Sequence, residues 1–184
     1  MKVLVETERL ILRSLDGDHS AEVLDFLYKG RELFEKYEMT KAPLYYSEMY
    51  QKSVLSQEHA ATLNNKYVRY YVYLKNDTDR VIGTVSCGNI MIEPYSCGTI
   101  GYKFDRDYWH NGYAREAVRT LIEEVFMELK LHRIIAYVMD NNQPSIRLLE
   151  AVGFVQEGFC RKNLKVNGVW ENHRLYALLN PYEE

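Results

Sequence analysis

Residues 100–130, IGYKFDRDYWHNGYAREAVRTLIEEVFMELK, change periodicity in the middle, and that change decides the fold. Ile100 to Phe104 reads as a strand, Asp105 to Asn111 as a polar connection, and Gly112 as the opening of a long helix. From Ala114 onward Ala117, Val118, Leu121, Ile122, Val125, Phe126 and Leu129 recur at three- and four-residue spacing. Arg115, Glu116, Arg119, Glu123, Glu124 and Glu128 take the opposite side, so one face of the helix is expected to pack on a sheet.

The beginning of that helix carries more chemistry than its middle. A helix N-terminus presents unpaired backbone N–H groups and the positive end of the dipole, which suits an anion. Gly112 lets an anion approach the backbone closely, and Ala114 keeps the next turn small, so the pattern reads as a pyrophosphate cradle. No Gly-Lys-Ser/Thr follows, and the three-glycine dinucleotide fingerprint is absent. Taken alone, Gly112 reads equally well as turn punctuation before a helix.

The flanking elements follow in order. Glu8 to Leu15 alternates as a strand and ends at Asp16-Gly17, before a helix whose apolar face runs to Gly30. A short helix and loop are expected from Arg31 to Pro43, and Ser47 is placed to cap the next helix. Tyr67 to Leu74 and Val81 to Ile92 form two arms around Asn76-Asp77-Thr78-Asp79, so three meandering strands lead into the central helix. After it, Arg133 to Met139 is an apolar strand expected inside the sheet, in parallel with its predecessor through a right-handed crossover. Asn142 and Pro144 open a last helix that ends at Gly153. Two strands, Phe154 to Val166 and Val169 to Leu179, are then joined at Asn167-Gly168. The result is a single mixed α/β domain over residues 1–184, with a central twisted sheet flanked by helices.

Composition narrows the function classes. With 184 residues, 47% hydrophobic and 27% charged, the chain can bury one good core. A net charge of -3 provides no field for a polyanion, which argues against nucleic acid as main partner; any anion site must be local. Cys87, Cys97 and Cys160 are odd in number and widely spaced, which fits a reducing cytoplasm, and His59, His132 and His173 have no ligand spacing for a metal. No apolar run approaches the ~18 residues of a membrane span.

Tyr108-Trp109-His110-Asn111-Gly112-Tyr113-Ala114-Arg115-Glu116-Ala117, followed by Asn142-Gln143-Pro144-Ser145 and Gly153-Phe154, resembles the acetyl-CoA-binding signature of the GNAT superfamily of N-acetyltransferases. The opening Glu6-Thr7-Glu8-Arg9-Leu10-Ile11-Leu12-Arg13 and the closing Asn167-Gly168-Val169-Trp170 are similar to the branch that acetylates N-terminal amines of ribosomal proteins. Two positions depart from the pattern. Trp109 and His110 stand where the family usually has Gln or Arg and then Gly, and Asn172 stands where the branch often has Asp.

The resemblance implies a GNAT fold, acetyl-CoA as cosubstrate and an amine as acceptor. It implies that the backbone of Tyr102, Lys103 and Phe104 pairs with the pantetheine arm. Trp109, His110, Asn111, Gly112, Tyr113, Ala114 and Arg115 would hold the pyrophosphate, and Asn142 would contact the pantetheine. Ser145 is the expected proton donor to the thiolate, although Asn142 and Ser145 are equally apt as capping residues. Glu93, just ahead of the Ile100 strand, is the candidate base, and Glu93-Pro94 reads as well as a solvated turn. Tyr37 and Tyr46 are candidates for the acceptor pocket, while Tyr70, Tyr71 and Tyr73 read as half-buried packing. The preferred acceptor is a protein N-terminal amine. The rivals are a small amine such as an amino acid, polyamine or aminoglycoside, and a non-catalytic acyl-CoA-binding module. Either a monomer or a homodimer paired through the last strand fits the sequence.

Overall fold

The computed structural model describes residues 1–182. Its elements in chain order are β1 (Leu4–Glu6), β2 (Leu10–Arg13), α1 (Ser20–Lys29), α2 (Arg31–Glu35), α3 (Glu48–Leu63), β3 (Val68–Leu74), β4 (Gly83–Met91), β5 (Cys97–Phe104), α4 (Tyr113–Leu129), β6 (Arg133–Met139), α5 (Gln143–Ala151), β7 (Val155–Val166) and β8 (Val169–Leu179). Together the strands form one eight-stranded sheet in the order β1-β2-β3-β4-β5-β6-β8-β7.

Local sequence accounts for most of the boundaries. Asp16 accepts from the Asp18 amide in the single 3-10 turn that leads into α1, and Ser47 accepts from the Tyr50 amide at the start of α3. Asn167 and Gly168, with φ of 49° and 82°, give the left-handed pair that a two-residue hairpin between β7 and β8 requires. The first strand of the sheet is an addition to the sequence reading: β1 precedes the expected strand and pairs antiparallel with it. The last strand is not an edge. β8 lies between β6 and β7, so the exposed edge on that side belongs to β7.

Burial divides the helices into two layers. On one face, Ala117, Val118, Leu121, Ile122, Val125 and Phe126 of α4 pack with Ile146 and Leu149 of α5 against Leu10, Leu12, Tyr70, Val72, Val85 and Ile100. On the other, α1, α2 and α3 contribute Val23, Phe26, Leu27, Phe34 and Leu55 to a second cluster with Tyr71 and Tyr73. The apolar residues of β2 and β3 alternate between these two clusters, as the two-residue period of a strand demands.

One irregularity of the sheet prepares a site. β5 and β6 are its parallel pair, and they pair only at Cys97–Arg133, Gly98–Ile134 and Thr99–Ile135. Beyond Thr99 the remaining residues of β5 pair only with β4, and those of β6 only with β8. The sheet therefore opens between the carboxyl ends of β5 and β6, where α4 and α5 begin.

Leu121 is fully buried and Met127 is 64% exposed on the same helix. Leu121→Ala should cost about 2–5 kcal/mol of unfolding free energy in urea titrations, whereas Met127→Ala should stay within about 0.5 kcal/mol of the parent. Equal losses would show that α4 does not pack as described.

Candidate active site

A cleft of about 390 Å³ lies at the opening between β5 and β6. β5 lends it Tyr102, Lys103 and Phe104; the following loop lends Trp109, His110 and Gly112. The first turn of α4 adds Tyr113, Ala114 and Arg115, and α5 adds Asn142 and Ser145. Residues expected from sequence to act together are thus brought to one place from four segments.

The start of α4 leaves donors free. Gly112 sits at its N-cap with φ 80°, a left-handed conformation that side chains resist. The Glu116 amide closes the first turn on the Gly112 carbonyl, while the amides of Tyr113, Ala114 and Arg115 have no acceptor among the described residues. Those three N–H groups face a dipole end with no side-chain cap, which is the arrangement an anion satisfies.

Three ties hold the preceding loop in place. The Trp109 indole Nε1 donates to the Phe104 carbonyl at 3.1 Å, folding the loop back on the end of β5. Lys29 of α1 reaches Asp105 at 2.8 Å and Asp107 at 2.6 Å. From the other side, Arg9 donates through Nη1 to the Asn111 carbonyl at 3.0 Å and through Nε to Glu116 at 2.7 Å, and it stacks over Tyr113. Glu116 also accepts from the Thr7 hydroxyl at 2.5 Å and the Arg9 amide at 3.0 Å. Burial opposes ionisation of Glu116, but these donors outweigh it and hold its carboxyl below the usual range. The clasp is therefore formed at neutral pH and weakens only as pH falls through that lowered value.

Opposite the loop, the Tyr102 hydroxyl lies 2.8 Å from Ser145 Oγ and donates to the Ser145 carbonyl at 3.2 Å. Burial pushes the Tyr102 phenol well above its ordinary value, so it stays protonated. Asn142 accepts from the Ser145 amide at 3.3 Å, so its oxygen serves the helix cap. A hydroxyl pair is therefore fixed at the cleft, backed by a capped helix.

Two expected residues stand apart. Asn111 turns its side chain back onto the carbonyls of Tyr108 and Trp109 and does not line the cleft. Glu93 is exposed in the turn between β4 and β5, at the Cys97 end of the strand, whereas the cleft opens at its Phe104 end about 23 Å of strand away. Glu93 does not meet the cleft residues, and no role there is retained for it. Tyr46 is buried beneath, bonded to Glu35, while Tyr37 does line the cleft. Asn172 accepts from the Lys162 amide at 2.8 Å in the irregular stretch of β7 and β8.

The sequence reading missed Glu38 and Arg147, which line the cleft, and Arg9, which steadies its loop. Arg9 was visible as part of the Glu6 to Arg13 stretch, but its partner lies 107 residues away. Among the described residues no group of His, Cys, Asp and Glu is placed to hold a metal ion, and no helix is long and apolar enough to cross a membrane.

Comparisons with known proteins agree on the family. The acetyltransferase (GNAT) domain family matches residues 9–155. The probable N-acetyltransferase YjcK of Bacillus subtilis is 36% identical over 98% of this chain and 99% of its own. The crystal structure of a ribosomal-protein alanine acetyltransferase from Vibrio fischeri superposes with a TM-score of 0.93 at 30% identity, covering 100% of both chains. RimJ of Mycobacterium smegmatis, in complex with CoA-disulfide, superposes with a TM-score of 0.85 at 24% identity, over 92% of this chain and 81% of that one. With its sheet split between β5 and β6 and its open helix N-terminus at the split, the chain belongs to the GNAT family of N-acetyltransferases.

Proposed function

We propose that the protein transfers the acetyl group of acetyl-CoA to the N-terminal α-amine of a protein, by direct attack of the amine. The observation that carries the reading is the set of unpaired amides at Tyr113, Ala114 and Arg115, opening onto the same cleft as the Tyr102–Ser145 hydroxyl pair. Anion recognition and proton supply are then two ends of one site.

The residues present fit such a cosubstrate. Gly112 presents no side chain to the cradle, and the clasp of Arg9 and Glu116 keeps the loop from closing over it. The three amides would hold the pyrophosphate, with Arg115 and His110 beside them. Edge groups of β5 at Tyr102 to Phe104, freed where it parts from β6, would pair with the pantetheine arm. When bound, acetyl-CoA supplies the activated thioester. The Ser145 hydroxyl would donate a proton to the departing sulfur while Tyr102, bonded to it, holds it in place, and the proton lost by the attacking amine would return to Ser145 through water.

The acceptor class rests on the amine's own acidity and on a relative. An α-amine has a pKa of ~8 against ~10.4 for lysine, so a larger share is neutral and nucleophilic near pH 7. Glu38, the carboxylate on the cleft lining, is paired with Lys103 and Lys41, and β5 carries none, so an acceptor that needs little help from a base suits this site. The Vibrio fischeri structure, 30% identical, is named for acetylation of a ribosomal-protein alanine.

Thiol release from acetyl-CoA, followed against a panel of N-terminal peptides and small amines, tests this reading. Peptides with free α-amines should be turned over, and the same peptides blocked at the N-terminus should not; turnover confined to lysine side chains would contradict it. Gly112→Glu should abolish acetyl-CoA binding measured by calorimetry, because it adds both backbone strain at φ 80° and a negative charge at the cradle. Ser145→Ala should lower kcat by about 10²-fold with little change in acetyl-CoA affinity; a normal kcat would leave Ser145 as a capping-turn residue only.

A further inference from the structure

The β7–β8 hairpin runs out past the rest of the sheet. β8 pairs with β6 from His173 to Leu179, so the outer part of the hairpin, with its pairs Leu164–Glu171, Lys165–Trp170 and Val166–Val169, has no neighbouring strand. A two-stranded ribbon of that kind is marginal by itself and should lie open to water. Val166, next to the turn, is nevertheless only 3% exposed, so the tip is seated on something. The Asn167 side chain shows on what. Its Nδ2 donates to the Glu35 carbonyl at 3.0 Å, and its Oδ1 accepts from the Thr40 hydroxyl at 2.9 Å. Those partners lie 132 and 127 residues earlier in the chain, at the end of α2 and in the loop that follows it.

Glu35 and Thr40 bracket Tyr37 and Glu38, the two residues of this loop that line the cleft. The loop has little of its own to hold it. Among the described residues, no amide or carbonyl from Glu38 to Lys41 takes part in a backbone hydrogen bond, so its shape depends on side chains. Glu38 is tied to Lys103 and Lys41, and Thr40 is tied to Asn167. The turn itself does not demand what Asn167 provides. At φ 49° it requires a left-handed residue, which Asn, Asp or Gly can be. Donating to a carbonyl and accepting from a hydroxyl needs a donor and an acceptor on one short side chain, and of those three Asn alone has both.

We infer that the β7–β8 tip is a tether for the cleft wall and that Asn167 is a positioning residue, which fixes Tyr37 and Glu38 by gripping the chain on both sides of them. Asn167 is not part of the cleft lining, so it acts through the loop and touches no reacting group. Its effect on turnover rests on the proposed function, since the wall matters there through the amine that must settle against it. The amides at the start of α4 belong to another element with its own supports, Arg9, Trp109 and Lys29, and acetyl-CoA affinity is therefore independent of the tether. Both Asn167 and Thr40 are exposed, and hydrogen bonds that compete with water add little to stability. The tether thus sets geometry, and its loss leaves the fold intact.

Asn167→Gly tests this cleanly, because Gly keeps the left-handed turn and removes both bonds. Initial rates with acetyl-CoA and a peptide amide beginning with Ala should show the peptide KM raised at least about fivefold, with the acetyl-CoA KM moved less than about twofold. The melting temperature should stay within about 3 °C of the parent. Limited trypsin cleavage after Lys36 and Lys41, followed without any amine present, should be at least about fivefold faster in the variant. Thr40→Val removes one of the two bonds, so it should raise the peptide KM in the parent and add nothing in the Asn167→Gly background. An unchanged peptide KM and cleavage rate would make Asn167 a turn residue only and overturn the assignment. So would a fall in melting temperature with both KM values rising together, or a Thr40→Val effect that adds in full. Should the parent not turn over the peptide while cleavage accelerates as expected, the proposed acceptor falls and the tether stands.

Discussion

Backbone amides that a helix cannot satisfy for itself set the terms for this protein. At the start of α4 the N–H groups of Tyr113, Ala114 and Arg115 have no acceptor among the described residues, and no side chain caps them. Leaving a donor unpaired is costly where water is excluded, so the surroundings must keep the site open to a ligand or to solvent. Arg9 and Glu116 do this from one side and Trp109 and Lys29 from the other, fixing the loop by its carbonyls and carboxylates and leaving its amides available. The hairpin turn between β1 and β2 thereby becomes part of the site without lining the cleft.

The split in the sheet gives these amides something to act on. A parallel pair needs a crossover, and the crossover here is α4 itself, so the helix N-terminus necessarily falls at the carboxyl end of β5. Because β5 and β6 part after three pairs, the last residues of β5 border a cleft rather than β6. α5 then starts at the far wall with Asn142 capping it, and the same turn presents Ser145 to Tyr102. Cap, hydroxyl pair and open strand edges all follow from one topological step. On the opposite face α2 and the residues after it close the cleft with Leu33, Phe34, Tyr37 and Glu38.

What could be read from the chain follows from how local each feature is. The 3.6-residue spacing of α4, the Asn142 cap with Pro144, and Asn167-Gly168 are short-range signals, and each appears where it was expected. β1 has only three residues, two of them exposed, so its pattern was too short to register. Glu93 misled because closeness in sequence to β5 is not closeness to the cleft; the direction of the strand carries the site to its other end. Glu38 was hidden for a different reason. Its segment, residues 36–42, has no periodicity, and its partner Lys103 is on a strand whose alternation places it away from α4. The link between Arg9 and Asn111 spans 102 residues and is a fact of tertiary structure alone.

The cradle can be tested at the level of individual amides. In a 15N-labelled sample, acetyl-CoA should shift the amide resonances of Tyr113, Ala114 and Arg115 strongly and slow their exchange with solvent. S-acetyl-pantetheine, which lacks the pyrophosphate, should leave those three signals in place while perturbing Tyr102 and Lys103 on β5. Equal shifts at the helix start with both compounds, or none with acetyl-CoA, would contradict the claim that this helix N-terminus holds a diphosphate.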